Sequence, residues 1–156
     1  MNKDRNNIQL KFANAAGMLA SRLSLSPIAG QIYGLLYMSP RPVSLNEMVE
    51  KLNISKGSAS TNVRALESWN AVRKVWVDNT RKDYYEANPD TLSILTKRIK
   101  QGLKRRLDES KDKMEYIEKS IKKSKRLSKE TDFYKKRVDK VKQMYNKVMQ
   151  FLELLP

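Results

Sequence analysis

The residues best placed to do chemistry in this sequence lie between positions 55 and 64: Ser55, Lys56, Gly57, Ser58, Ser60, Thr61, Asn62 and Arg64. Short hydroxyls, one amide, an ammonium and a guanidinium at that density exchange hydrogen bonds and carry positive charge. They do not make covalent chemistry unaided. The chain has no histidine and no cysteine, which removes the commonest general base, the commonest metal ligand and every thiolate site. No glycine-rich phosphate loop and no nucleophile elbow occurs either. These absences argue against an enzyme, and no cofactor or metal is expected.

Charge supplies the positive signal. The 156 residues hold 32 Lys and Arg against 17 Asp and Glu, a net charge of +15, which points to a polyanionic partner. Residues 1–89 carry 12 basic and 7 acidic side chains and the remainder 20 and 10, so the excess is +5 and then +10. Most of the C-terminal lysines read as solvated outer faces of helices, and Lys122, Lys123, Lys125 and Arg126 as a solvated bend. Charge alone does not separate DNA from RNA or from an anionic membrane. At 40% apolar and 31% charged the composition suits a soluble chain of one domain's length. No apolar run approaches a membrane span, and the opening MNKDRNNIQ has no hydrophobic signal core. Leu152, Leu154 and Leu155 are too few for firm insertion, so a cytoplasmic protein without a membrane partner is expected.

Stepwise periodicity gives the elements that must hold the polar cluster. Ile8, Phe12, Ala15, Leu19 and Leu23 recur at helical spacing and predict one amphipathic helix over residues 7–24. Ser26-Pro27 caps and opens a second helix, with Ile28, Ile32, Leu35 and Leu36 inside, which must stop before Pro40 and Pro42. Ser44-Leu45-Asn46-Glu47 is a capping box that opens a short helix carrying Leu45, Met48, Val49 and Leu52. Asn53-Ile54 make a tight turn, and Ser55 caps a helix running to about Trp69. Ala59, Val63 and Leu66 face inward there, which leaves the polar cluster largely outside.

Asn70 stops that helix, Val72–Val77 reads as a strand, residues 78–83 as a polar turn and Tyr84–Ala87 as a returning strand. The result is a hairpin with a basic tip. Beyond Asn88-Pro89-Asp90, the stripe Leu92, Leu95, Ile99, Leu103, Leu107, Met114, Ile117 and Ile121 predicts a long helix. Tyr134, Val138, Val141, Tyr145, Val148, Leu152 and Leu155 then alternate spacings of four and three, the seam of a coiled coil. A single rod over the whole region would be some 100 Å long, so a break between Lys123 and Asp132 is expected.

Helix, capped short helix, tight turn, polar-faced helix and basic hairpin is the order of a winged helix-turn-helix. The expected class is mostly α with a small β-hairpin wing, joined to long dimerisation helices. A helix fits the major groove of DNA, where short hydrogen-bonding side chains meet base edges. A polar helix on an ordinary small domain explains the cluster less well, because Ser, Thr and Asn are poor helix formers. Gly57 removes a side chain where the backbone can approach a phosphate at the helix N-terminus. Arg73, Lys74, Asn79, Thr80, Arg81 and Lys82 complete the candidate DNA contacts from the hairpin.

The stretch NISKGSASTNVRALESWNAVRKVWVDNTRKDYYEANP resembles the GbsR-like branch of the MarR superfamily of transcriptional regulators. The motifs that carry it are ISKG, the Leu66-Glu67 pair, Trp69, VRKVW and RKDYYEA, and the likeness is strongest over residues 27–89. It implies a homodimer on a near-palindromic operator, with the Ser55–Arg64 helix as reader and Arg81 as a wing residue. The implied division is an N-terminal dimerisation helix over 1–26, the DNA-binding domain over 27–89 and a helical dimerisation region over 90–156. Ile8, Phe12 and Leu19 would then join Tyr134, Val138, Val141, Tyr145, Val148, Leu152 and Leu155 in the dimer contact.

Repression is the polarity that the resemblance implies. Some members respond to choline- or betaine-type solutes, which leaves a small-molecule effector open. Tyr33, Tyr37, Trp69, Trp76, Tyr84 and Tyr85 are the aromatics from which a cation cage would be built, although core packing accounts for most of them. Two further readings stand beside the regulator: an architectural or interaction module binding DNA without sequence preference, and a peripheral membrane protein.

Overall fold

A computed structural model of the chain describes residues 2–123 and 129–154. It is mostly α with a small β wing, as the pattern predicts. The order is α1 (Asn2–Arg22), α2 (Pro27–Tyr37), β1 (Val43–Ser44), α3 (Leu45–Leu52), α4 (Lys56–Ser68), β2 (Val72–Val75), β3 (Tyr84–Ala87), α5 (Thr91–Lys123) and α6 (Lys129–Leu154). The chain forms two compact units, Met1–Ile94 and Leu95–Pro156.

In the first unit α2 is the hub, touching α1, α3, α4 and β3. Its first turn is fixed by the Ser26 hydroxyl, which accepts the Ala29 N–H at 3.2 Å ahead of Pro27. One side of α2 sends Ile32, Leu35 and Leu36 into a core completed by Val43, Met48, Val63, Leu66, Val72 and Tyr85. The other side lies against α1 at near-backbone distance. A Cβ placed on Gly30 would sit 2.6 Å from the Ala16 carbonyl oxygen and 2.6 Å from the Ala20 Cβ, and one on Gly34 would sit 2.9 Å from the Ala16 Cβ. Only small residues fit that contact, so α1 meets α2 with Ala13, Gly17 and Ala20, all buried.

The stripe read from the sequence of α1 is therefore not its inner face: Ile8, Phe12, Ala15 and Leu19 are exposed. The helix also ends earlier than the expected residue 24. Ser24 takes φ 58, and the Leu25 N–H returns to the Ala20 carbonyl at 2.8 Å, a Schellman-like closure.

The sheet has three antiparallel strands in the order β1-β3-β2. β1 was not anticipated; two residues running straight into a capping box have no period to read. β2 pairs Val72 with Ala87, Arg73 with Glu86, Lys74 with Tyr85 and Val75 with Tyr84. It stops at Val75, short of the expected Val77, because its partner strand begins at Tyr84. Left-handed Asn53 (φ 51) ends α3 and left-handed Asn70 (φ 57) turns the chain from α4 into β2, both where asparagine is the non-glycine residue that tolerates it best.

In the second unit, α5 and α6 are separate helices, as the expected break requires. Lys142 on α6 reaches Glu118 on α5 at 2.7 Å, and Lys122 reaches the same carboxylate at 2.8 Å. Both ammonium groups hydrogen-bond Glu118 and hold its carboxyl down at about 2. The α6 seam is half-buried at Val138, Val141, Tyr145 and Val148, buried at Leu152, and exposed at Tyr134. Leu155, Lys125 and Arg126 lie outside the described residues. α5 has no buried side chain over its 33 residues, and Leu92, Ile99 and Ile117 of its stripe are exposed.

The capping box at α3 is fully formed. The Ser44 hydroxyl accepts the Glu47 N–H at 3.3 Å, and the Glu47 carboxylate accepts the Ser44 N–H at 2.9 Å. Arg41 adds a charged hydrogen bond to the same carboxylate at 2.6 Å. Partial burial works to raise the Glu47 carboxyl, but Arg41, the Ser44 N–H and the Ser44 hydroxyl outweigh it and bring it to about 2. A depressed carboxylate stabilises the fold above its unfolded value near 4.5, and that contribution fades as pH falls toward about 2. Glu47→Ala is expected to lower stability by about 1–2 kcal/mol at neutral pH. The gap to wild type in urea melts should close between about pH 4.5 and pH 2; a gap that stays constant over that range refutes the assignment.

Candidate nucleic-acid interface

α4 carries the polar cluster because its opposite face is apolar. Ala59, Val63 and Leu66 are buried, which turns Lys56, Gly57, Thr61 and Arg64 to solvent and leaves Ser58 and Ser60 half-buried. Ser55 is exposed and caps the helix, its hydroxyl accepting the Ser58 N–H at 3.1 Å. Gly57 sits in the first turn, and a Cβ added there would meet nothing within 4 Å. The fold of a single chain gives no reason for glycine at that place, where alanine would favour the helix by about 1 kcal/mol. What glycine leaves is open access to the backbone at the positive end of a helix.

Asn62, expected on the outer face, turns inward instead. Its Nδ2 donates to the Ser58 carbonyl at 2.9 Å, and its Oδ1 accepts from the Ser26 hydroxyl at 2.7 Å. Both ends of the amide are used, so Asn62 ties α4 to the start of α2. Helical spacing missed this because position 62 borders the buried stripe, and nothing in the sequence announces a partner 36 residues away. Arg64 lies along the outside of α4, donating to the Ser60 hydroxyl at 2.9 Å.

The hairpin divides its cations into two sets. Arg73 is paired with Glu86, its register partner on β3, and Lys74 with Asp83 at 2.7 Å. The Lys74 ammonium is raised by its hydrogen bond to Asp83. These two candidate contacts are thus neutralised within the wing, by acids that the sequence reading had left without a role. Counting back from the expected 78–83 turn sets Glu86 opposite Val75, two residues off the observed register. At the tip Asn79 takes φ 61 and the Thr80 hydroxyl accepts the Lys82 N–H at 3.1 Å, which shapes the turn. Arg81 and Lys82 are exposed and, like Lys56 and Arg64, have no carboxylate partner among the described residues.

No family model matches the chain. Curated relatives do. The HTH-type transcriptional repressor GbsR of Bacillus subtilis (strain 168) is 37% identical over 67 residues, which are 43% of this chain and 37% of that protein. The repressor OpcR of the same organism is 34% identical over 61 residues, 39% of this chain and 33% of OpcR. The Bacillus subtilis protein YvaV is 36% identical over 61 residues, 39% of this chain and 34% of YvaV. Over that stretch the chain is similar to HTH-type transcriptional regulators. The matched stretch spans about a third of the length of each relative. A solved structure of a transcriptional regulator covers 93% of this chain and 92% of its own, with a TM-score of 0.57 and 20% identity. At that identity the likeness is one of fold, and it covers more of the chain than the matches to the curated relatives do.

Of the candidate aromatics, Tyr33 and Tyr37 meet on α2 at 5.9 Å, and Phe12 stacks on Tyr37 at 5.9 Å. The Tyr33 hydroxyl is engaged with the Asn88 carbonyl at 2.7 Å and the Thr91 hydroxyl at 2.8 Å. A shallow hollow of about 400 Å³ between Asn14, Gly17, Met18, Ser21, Pro27 and Gln31 contains none of the candidate aromatics. Among the described residues, no cluster of acids could hold a metal and no helix is long and apolar enough to cross a membrane.

The Asn62 clamp is testable without any ligand. Loss of two partly buried hydrogen bonds should make Asn62→Ala about 1–2 kcal/mol less stable, whereas Thr61→Ala, exposed and unengaged, should stay within about 0.5 kcal/mol of wild type. Equal stability of the two variants in urea melts is the result that would remove the clamp.

Proposed function

We propose that the chain is a sequence-specific, double-stranded-DNA-binding transcriptional regulator, acting as a cytoplasmic homodimer and repressing from a near-palindromic operator. The observation that carries this reading is the outer face of α4. A helix seated on Ala59, Val63 and Leu66 offers Lys56, bare Gly57, Thr61 and Arg64 to solvent, beside a wing whose tip cations are unpaired. The HTH-type repressors among its relatives support the same reading. In it, α4 lies in the major groove, Thr61 and Arg64 meet base edges, and Lys56 and the Gly57 backbone meet phosphate. Arg81 and Lys82 hold the flanking backbone, while Asn62, Arg73 and Lys74 keep α4 and the wing in shape. No protein group is asked to break a bond, so the reading is not that of an enzyme.

The homodimer rests on apolar surface that one chain leaves uncovered. Ile8 is 57%, Leu19 51% and Phe12 41% exposed on α1, and α5 buries nothing fully. Contiguous apolar faces of that kind mark contacts between chains. Residues 1–26 and 90–156 accordingly serve as the dimerisation parts, around a DNA-binding domain over 27–89. Light scattering is expected to give twice the 18.1 kDa chain mass, and an 18.1 kDa species at micromolar concentration would overturn it.

Salt dependence tests DNA binding itself. Lys56, Arg81 and Lys82 give three unneutralised cations per chain for phosphate, hence about six phosphate contacts per dimer and a slope of log K against log salt near −5. Affinity should fall by about three orders of magnitude between roughly 50 and 200 mM salt. A slope shallower than about −3 would place the basic surface elsewhere. Gly57→Ala should keep or raise stability by up to about 1 kcal/mol yet weaken duplex binding. Arg64→Ala should flatten the operator-to-random ratio by about 1–3 kcal/mol; an operator ratio near one already in wild type would favour the architectural module.

A further inference from the structure

We propose that Trp76 is a DNA-contacting residue of the wing, laying its indole on the sugar edge of the minor groove beside Arg81 and Lys82. The proposal rests on the reading that the chain binds duplex DNA. Trp76 is 85% exposed, more than any other large apolar side chain among the described residues. It follows the last paired residue of β2, Val75, and none of the hydrogen bonds, ion pairs or ring contacts of the described residues involves it. An indole held in water contributes nothing to the fold and lowers solubility, so stability does not account for it.

Its surroundings select the occupant. Arg73 and Lys74 just before it are neutralised by Glu86 and Asp83, whereas Arg81 and Lys82 at the tip are not. The segment from Trp76 to Lys82 therefore offers one flat apolar plane and two unpaired cations, with the exposed acid Asp78 between them. Duplex DNA presents phosphates and an apolar sugar edge within one groove width, which matches both. A second copy of the chain fits poorly, because a cationic tip would have to dock on a molecule of net charge +15. A lipid surface needs more than one apolar side chain.

An uncharged contact has a signature that a lysine or arginine lacks: it adds affinity without releasing counterions. The full chain is titrated with an A·T-rich synthetic duplex over a salt series, as wild type, Trp76→Ala, Trp76→Phe and Arg81→Ala. Trp76→Ala is expected to bind about ten-fold more weakly with an unchanged salt slope, and Trp76→Phe to recover most of the loss. Arg81→Ala should instead reduce the slope by about 1 per chain. Acrylamide quenching of the emission that wild type has over Trp76→Phe should fall when duplex is added. If wild type binds duplex but Trp76→Ala binds equally well, or the indole stays open to quencher, the proposal falls and DNA binding stands. Wild type that binds no duplex at low salt overturns both. Protection of the indole by protein concentration alone assigns it to a contact between chains and overturns the proposal.

Discussion

Gly30 and Gly34 let α1 and α2 lie with their backbones almost touching, and the placement of every other element in the first unit depends on that contact. A helix packed on all sides needs some neighbour at short range, because side chains of normal size on every face cannot be accommodated around one axis. α2 meets the need with glycine toward α1 and with Ile32, Leu35 and Leu36 toward the rest. The large apolar residues of α1 are thereby displaced from the internal contact to the outside. Ile8 and Leu19 remain exposed because the inner face has room only for alanine and glycine, and Phe12 is left at the edge of the contact, stacked on Tyr37. The packing that makes the first unit compact therefore also generates apolar surface available to a second chain.

A second division runs through the polar residues, between those already satisfied and those still unengaged. Asn62, Ser26, Arg73, Lys74, Asp83 and Glu86 spend their hydrogen bonds and charges on each other. Those bonds orient α4 on α2 and fix the wing. Lys56, Thr61, Arg81, Lys82 and the bare backbone at Gly57 hold nothing. Groups that are cheap to hydrate and useless to the fold are where a ligand gains most, since no internal bond has to be broken first. A winged module is a rigid frame of satisfied polar groups carrying a thin layer of unsatisfied ones.

Much of this was legible in the sequence, and for local reasons. Caps at Ser26, Ser44 and Ser55, the left-handed Asn53 and Asn70, and the buried faces of α2 and α4 depend on neighbours within four residues. Spacing alone therefore revealed them. Ion pairs and amide clamps depend on residues 9 to 36 positions apart, and for those the sequence gives types but not partners. Asn62 was expected outside because a helical wheel cannot show a hydroxyl 36 residues away. The strand cations, exposed as expected, proved to be paired with acids that charge alone does not locate. The inner face of α1 was misjudged for a different reason, since periodicity ranks large apolar residues above small ones and close packing reverses that order.

The large net charge has to be separated from the small number of cations at the candidate interface. Of 32 basic side chains, four in the first unit combine an exposed place on α4 or the wing tip with the lack of an acid partner. On the proposed reading three of those four, Lys56, Arg81 and Lys82, set how steeply binding depends on salt, because only cations seated on phosphate release counterions. The remaining excess acts at long range: it raises the rate at which a polyanion is met and is screened beyond about 10 Å at ordinary ionic strength. It also has a cost within the chain. Arg98 on α5 is lowered from its usual value by burial and then by the nearby charge of Arg105. A helix so charged is stabilised when a polyanion approaches, even one that it never touches. Affinity and association rate should therefore respond to different residues, the first to α4 and the wing tip, the second to the whole cationic surface.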